Sequence, residues 1–154
     1  MLRLICALML VLVIASPSLG QQSLVGTYKI VSNVLNIDGT LTEPMGKAPK
    51  GYFVLTPTRA VYFFTAENRK FGTSLADKAA LFDTVVGWSG TYRVEGKKLI
   101  VKVDASWIEH WNGKDQVRNW ELSGNRLTLT SDPQPWPRDP KKTFFPQQVF
   151  EKIE

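Results

Sequence analysis

The chain has 154 residues, of which 44% are hydrophobic and 21% are charged. These values are typical of one globular domain and exclude a wholly disordered chain. The formal net charge is +5, and the sequence contains one Cys and one His. These two counts exclude a Cys/His zinc site, a disulfide framework and most His-centred catalytic triads, and we expect no metal or cofactor.

The first twenty residues have the pattern of a secretory signal peptide. A positive charge precedes an apolar run over residues 4–15, and the small residues Ser18 and Gly20 follow it. This run is too short to cross the ~30 Å hydrocarbon core of a membrane as a helix. We therefore expect residues 1–20 to be removed, and residues 21–154 to form one exported domain, periplasmic or secreted, without stable membrane insertion. Cleavage after Ala15 and an uncleaved membrane anchor are the alternatives.

The rest of the chain alternates between short β-branched or aromatic runs and turn residues. Eight runs predict strands at 25–36, 51–56, 59–66, 88–95, 97–105, 116–123, 126–131 and 144–153. Gly96 and the pair Gly124-Asn125 are typical of hairpin turns. Eight such strands predict an all-β, antiparallel up-and-down barrel, whose interior is filled by side chains or holds one small ligand. An open sandwich of the same strands is the alternative.

One short helix is predicted between the third and fourth strands. Ser74 is a favourable N-cap residue, and Asp77 places negative charge in the first helical turn. The apolar face consists of Leu75, Ala79 and Phe82. We expect this helix to end near Gly87 and to pack on an open end or on the outside of the sheet.

Four strands alternate between apolar and polar residues, which indicates the side chains that face inward. These positions are Tyr28, Ile30, Trp88, Gly90, Tyr92, Val94, Leu99, Val101, Val103, Leu127 and Leu129. Ile100 falls on the outer face by the same alternation. The strands at 51–56 and 59–66 are apolar on both faces. Their outer face is therefore either covered by the helix or a second layer, or serves as a contact surface.

The strand at 116–123 carries a charge into the interior. Trp120 and Leu122 place its even-numbered residues inward, and the same alternation turns Gln116 and Arg118 inward. A guanidinium inside a barrel is costly unless it is paired or contacts a polar or anionic ligand. Arg118 is therefore expected either to bind a ligand carboxylate or carbonyl, or to pair with an interior acid or lie near the barrel mouth.

Several segments in order resemble the lipocalin-like domain family of bacterial and fungal proteins. They are Leu24-Val25-Gly26-Thr27-Tyr28, Asp38-Gly39-Thr40, Pro44-Met45-Gly46, the stretch 51–57, the stretch 113–118, Arg126-Leu127-Thr128-Leu129-Thr130 and Val149-Phe150-Glu151-Lys152. The resemblance covers nearly all of residues 23–153. It implies a small antiparallel barrel with a cavity and carries no established catalytic set.

The resemblance also implies how one end of the barrel is closed. Lipocalins proper begin with Gly-x-Trp, and an Arg of the last strand packs over that Trp. Here Gly26 and Tyr28 occupy the motif, and Lys152 is the nearest match to the Arg. A Lys over a Tyr ring makes a weaker cation–π contact, and Lys is not equivalent to Arg at such a site.

The aromatic content indicates a mainly apolar interior with a few polar groups. Five Trp, four Tyr and eight Phe all lie after residue 20. Part of this set forms the core, and the rest suits a ligand cavity. The candidate ligand-binding residues are Arg118, Trp120, Trp88, Tyr92 and Gln116.

We expect a monomeric, non-catalytic protein that binds a small, mainly apolar molecule carrying one polar or anionic group. An isomerase- or cyclase-type enzyme of the same fold is one alternative. It would use Arg118 as its electrostatic group, and Glu109 or His110 of the loop before the sixth strand for acid–base chemistry. A filled barrel with a structural or interaction role is the other. No nucleic-acid partner is expected, because the basic residues are spread over separate loops.

Overall fold

The structure, a computed structural model, describes residues 23–136 and 139–154, so the predicted signal peptide lies outside the described residues. Its strands are β1 (Gly26–Ile37), β2 (Thr40–Thr42), β3 (Lys50–Leu55), β4 (Arg59–Thr65), β5 (Val85–Glu95), β6 (Lys98–Ser106), β7 (Asp115–Ser123), β8 (Arg126–Thr130), β9 (Gln134–Trp136) and β10 (Asp139–Lys152). Helix α1 spans Leu75–Asp83, and a 3₁₀ helix spans Glu109–Trp111.

Eight of these strands close into an antiparallel barrel. They are joined in the order β1-β3-β4-β5-β6-β7-β8-β10, and β10 pairs with β1 from Tyr28 opposite Lys152 to Ile37 opposite Phe144. The short strands β2 and β9 pair with β1 and β10 respectively. The predicted up-and-down barrel is confirmed, and the β1–β10 pairing excludes the open sandwich.

The predicted helix end is wrong by several residues. The backbone N–H of Thr84 caps the helix at the Leu81 carbonyl oxygen, and the Thr84 hydroxyl donates to Ala80. Val85 already pairs with Thr65 of β4, so β5 begins there instead of at Trp88. The helix start follows the prediction, because Ser74 and Asp77 cap each other reciprocally.

The inward positions read from alternation form the barrel core. Leu99, Val101, Val103, Leu127 and Leu129 are all buried. The core also takes in Tyr28, Ile30, Trp88 and Tyr92. Ile100 was predicted on the outer face and is nevertheless buried; its cross-strand neighbours are Arg93 and Val117.

The structure shows which face of β3 and β4 points into the barrel, which the sequence alternation does not indicate. Phe53, Tyr62 and Phe64 enter the core of the barrel. On the opposite face, Phe63 is 54% exposed and stands beside Tyr52, which is 50% exposed. Neither the helix nor a second layer of the described residues covers this aromatic pair.

Helix α1 lies away from the core and buries none of its residues. Leu75 is 86% exposed, and the Phe82 ring contacts Trp107 with 4.6 Å between ring centroids. The apolar face of Leu75, Ala79 and Phe82 therefore packs against the sheet much less than its helical spacing predicts. None of the helices in the described part of the chain is long and apolar enough to cross a membrane.

One end of the barrel is closed by Tyr28 and Lys152. Lys152 Nζ lies 5.9 Å from the centroid of the Tyr28 ring and donates to the Val25 carbonyl oxygen at 2.8 Å. The Tyr28 hydroxyl donates to the Leu24 carbonyl oxygen at 2.9 Å. Gly26 fits here because a Cβ at that position would overlap the Lys152 side chain. The predicted contact of Lys152 with Tyr28 is confirmed.

Candidate functional site

The barrel holds a cavity of about 530 Å³ that opens opposite the Tyr28–Lys152 end. Around its mouth the lining comes from the loop around Met45, the 3₁₀ helix at 109–111, β9, and Phe144 and Pro146 of β10. Its lining comprises Asn33, Leu35, Pro44, Met45, Tyr62, Phe64, Val86, Trp88, His110, Trp111, Lys114, Asp115, Gln116, Arg118, Gln134, Pro135, Phe144, Pro146 and Gln148. This size is within the range of small-molecule sites.

Aromatic rings form one wall of the cavity. Tyr62 and Trp88 are cross-strand neighbours on β4 and β5, and their rings stack with 4.7 Å between centroids and 7° between planes. Phe64 meets Tyr62 edge-on, with 5.2 Å between centroids. These contacts fix a flat apolar surface that suits a hydrophobic ligand.

Five polar side chains of the lining, Asn33, Tyr62, Gln116, Arg118 and Gln148, form what we call the polar cluster. Asn33 and Gln148 face each other across the β1–β10 seam, where the Gln148 amide donates to Asn33 Oδ1 at 3.0 Å. Both are buried. The Tyr62 hydroxyl lies near both halves of the cluster, because the charge of Arg118 and the Gln148 side chain both lower its pKa.

Arg118 is the charged member of the polar cluster. Its Nη2 donates to Gln116 Oε1 at 3.3 Å, and its Nη1 donates to the Val117 carbonyl oxygen at 2.8 Å. No carboxylate of residues 23–136 or 139–154 forms a salt bridge with it. Burial lowers the pKa of the Arg118 guanidinium. Arg118 is half-buried, and no described carboxylate offsets this desolvation of its charge.

A gap in the barrel wall explains the contact of Arg118 with its own strand. β8 pairs with β7 only as far as Thr130 opposite Asn119, so residues 115–118 of β7 pair with β6 alone. A second cavity of about 270 Å³ lies between those residues and the segment 131–134. Arg118 and Gln116 line both cavities, so the guanidinium stands between the barrel interior and this lateral gap.

Two polar atoms of the cluster lack a partner. The Tyr62 hydroxyl and Gln148 Oε1 are buried, and neither makes a hydrogen bond within the described residues. Burial raises the pKa of the Tyr62 hydroxyl well above its usual range, and the charge of Arg118 and the nearby Gln148 side chain each oppose part of this rise. Unsatisfied buried polar atoms are rare in native proteins, and a ligand is one thing that satisfies them.

The structure brings together three of the five candidate ligand-binding residues. Arg118, Gln116 and Trp88 line the main cavity, whereas Tyr92 and Trp120 do not. The Tyr92 hydroxyl donates instead to the Thr56 carbonyl oxygen at 2.8 Å. The Trp120 ring lies beneath Lys97, whose Nζ is 4.6 Å from the ring centroid.

The structure separates the two acid–base candidates of the enzyme alternative. Glu109 lies outside the cavity lining, and its carboxylate accepts a hydrogen bond from the Asn112 amide at 2.8 Å. His110 lies at the mouth, where Lys114 Nζ is 3.1 Å from its Nδ1. Within the described residues no group of three His, Cys, Asp or Glu side chains is placed to hold a metal ion.

Three residues of the polar cluster, Tyr62, Gln148 and Asn33, are not predicted by the sequence. Tyr62 belongs to a strand with apolar residues on both faces, and Gln148 follows another glutamine, so neither shows a readable alternation. Asn33 turns inward because the β1–β10 register shifts between Ile30 and Ser32. A bulge of this kind reverses the alternation, and nothing in the local sequence marks its place.

The comparison with curated proteins gives no match. The family model of the lipocalin-like domain matches residues 25–150, which span all eight barrel strands apart from the last residues of β10. This match agrees with the closed barrel, with Gly26 and Tyr28 at its start and with Lys152 over the Tyr28 ring. The chain belongs to the lipocalin-like domain family.

Proposed function

We propose that this chain is an exported, monomeric binding protein that holds one small, mainly apolar molecule in the barrel cavity. The observation that carries the proposal is Arg118, a half-buried guanidinium on the cavity wall with no carboxylate partner among the described residues. A ligand with one polar or anionic group would contact Arg118, Tyr62 and Gln116. Its apolar body would lie against Trp88 and the mouth residues.

The energetics favour a ligand over a purely structural role for the polar cluster. A buried charge is costly unless it is paired, and apolar side chains at such a position are neutral or stabilising. Arg118 contributes only a neighbouring carbonyl contact and one amide contact to the fold. Tyr62 adds a buried hydroxyl without a partner in the described structure. A bound molecule would offset both costs.

The observations favour binding over the two alternatives. A filled barrel would leave no cavity of about 530 Å³ beside the polar cluster. Of the two acid–base candidates for an enzyme, Glu109 is held by Asn112 outside the lining, and His110 stands at the mouth beside Lys114, away from the polar cluster around Arg118. Export is supported by the signal-peptide pattern of residues 1–20.

Native mass spectrometry tests this function. The protein is purified without detergent from the exported fraction of its own host, as wild type, Arg118→Met and the exposed control Arg126→Met. We expect a discrete added mass on wild type and on Arg126→Met that is lost from Arg118→Met. The same spectra give the mass of the mature chain, which should equal that of residues 21–154. A protein without added mass that also takes up no hydrophobic compound on incubation would contradict the binding function.

A further inference from the structure

We infer that the polar group of the ligand is a carboxylate, bound as the anion by Arg118 and the Tyr62 hydroxyl, so that the ligand class is an apolar carboxylic acid. This inference rests on the proposed function and narrows it to one chemical class. The carboxylate of the ligand, and not only its apolar body, would then determine which molecules the cavity binds.

The balance of donors and acceptors in the polar cluster supports an acceptor-rich group. A guanidinium has five N–H donors, and Arg118 uses Nη1 and Nη2 for one protein contact each. The Tyr62 hydroxyl provides a further donor without a partner in the described structure. A carboxylate has two oxygens with about four acceptor positions and matches the flat guanidinium edge. An alcohol or a ketone would leave most of these donors unused.

The charges that face the cavity support an anion. Arg118 and Lys114 are the cations of the lining, and His110 stands beside Lys114 at the mouth. Asp115 is the one acid in the lining, and it is shared with Arg93, whose Nη1 lies 3.6 Å from it. The cavity therefore presents net positive charge, which disfavours an amine.

The small size of the cluster favours a singly charged head group over a phosphate. Arg118 is the one cation within the polar cluster, and the stacked rings of Tyr62 and Trp88 line the same cavity. A phosphate monoester carries close to two charges at neutral pH and three oxygens to satisfy. A carboxylate needs one cation and two or three donors, which is what these residues supply.

Competition binding tests the inference separately from the proposed function. The mature chain is loaded with the neutral fluorophore N-phenyl-naphthylamine, whose binding reports an accessible apolar cavity. Dodecanoate, dodecanol and dodecylamine then compete for it at neutral pH. We expect dodecanoate to bind at least about 30-fold more tightly than either analogue, because a buried hydrogen-bonded charge pair is worth this factor or more.

The variants locate the preference. In Arg118→Met the preference for dodecanoate over dodecanol should fall to less than about fivefold, with dodecanol affinity nearly unchanged. Tyr62→Phe should weaken dodecanoate binding by about tenfold. Arg118→Lys keeps the positive charge but loses the planar guanidinium that can bind both carboxylate oxygens. Its preference for dodecanoate over dodecanol should therefore lie between those of wild type and Arg118→Met. The exposed Arg126→Met is the control and should keep the full preference. Circular dichroism confirms that each variant is folded.

Each outcome decides one of the two claims. Fluorophore binding without a preference for the acid, or a preference that survives in Arg118→Met, overturns the carboxylate inference and leaves the binding function standing. An absence of binding by the fluorophore and by all three competitors overturns the binding function itself. An acid preference that disappears in Arg118→Met and persists in Arg126→Met supports both.

Discussion

The Lys152 ammonium lies over the Tyr28 ring, with 5.9 Å between Nζ and the ring centroid, and donates to the Val25 carbonyl oxygen at 2.8 Å. One side chain of the last strand thus fixes both the backbone before the first strand and an aromatic ring on it. The β1–β10 seam, where the barrel closes, begins at this pair.

Lys152→Met should lower the free energy of unfolding by about 1–2 kcal/mol. The variant keeps most of the apolar stem and removes the cation–π contact and the charged hydrogen bond. Urea denaturation measures the change. Lys141→Met on the same strand is the control, because Lys141 is exposed, and it should change stability by less than about 0.5 kcal/mol. Equal effects of the two substitutions would show that the Tyr28 contact contributes nothing specific.

The buried amide pair at the same seam gives a second prediction. Gln148 donates to Asn33 Oδ1 at 3.0 Å, and both side chains are buried. Gln148→Leu should cost about 1–3 kcal/mol, because it leaves the Asn33 amide without its partner. The double variant Asn33→Leu/Gln148→Leu should recover part of that loss. A double-mutant cycle by urea denaturation measures the coupling, and strictly additive effects would contradict it.

The sequence predicts which side chains face the barrel interior only where apolar and polar residues alternate along a strand. The inward position of Arg118 follows from Trp120 and Leu122 on its own strand, and the structure places it on the cavity wall. Tyr62 could not be assigned, because Phe63 and Phe64 follow it directly and both faces of that strand are apolar. Only the neighbouring strands β3 and β5 decide which face is inside.

The shape of the cavity could not be predicted from the local sequence, for a different reason. Its mouth is built from segments distant in sequence, such as the loop at Met45 and strand β9. The gap beside Arg118 arises because β8 ends at Thr130 while β7 continues, and strand pairing of this kind depends on the whole barrel. Glu109 and His110 are sequence neighbours, yet their side chains have different partners.

Gly90 allows a close approach of β5 to β6, next to the register shift between Ser89 and Gly90. A Cβ at this position would overlap the Lys102 carbonyl oxygen. Gly90→Ala should therefore destabilise the barrel by about 1–3 kcal/mol. Gly124→Asn is the matched control, because its backbone is left-handed with φ of 60° and a Cβ there meets nothing within 4 Å. Asn tolerates that conformation, so thermal unfolding should barely change.

Buried tyrosines predict a loss of stability at alkaline pH. Burial raises the pKa of Tyr92 to about 12, and burial also raises the pKa of Tyr28 and Tyr62. Above the ordinary tyrosine pKa of 10.0 the unfolded chain releases these protons while the folded chain keeps them. The free energy of unfolding therefore falls as pH rises from about 10 towards 12.

Urea denaturation across this pH range measures the alkaline loss, and tyrosinate absorbance follows the protons. Tyr92→Phe should weaken the pH dependence. It should also cost about 1 kcal/mol at neutral pH, because the hydrogen bond to the Thr56 carbonyl is lost. Titration of every tyrosine near pH 10 in the folded state, without unfolding, would contradict the prediction.

Arg118→Met should leave the ligand-free protein as stable as wild type, or more stable by about 1 kcal/mol. The substitution removes a half-buried guanidinium that has no salt bridge with any described carboxylate, and it loses only the contacts with Gln116 and Val117. Apolar replacement of buried charges is often neutral or stabilising. Tyr62→Phe should behave in the same way, because its hydroxyl is buried without a hydrogen bond in the described structure.

Urea denaturation of delipidated protein measures both variants, with Arg126→Met as the exposed control. A gain in stability combined with loss of ligand binding is the behaviour of residues kept for function at the expense of the fold. A loss of more than about 1 kcal/mol in Arg118→Met would instead assign the guanidinium a structural role as the cap of the unpaired β7 backbone at Val117. Arg118 would then no longer support the proposed binding function, which would rest on Tyr62 and the aromatic wall of the cavity.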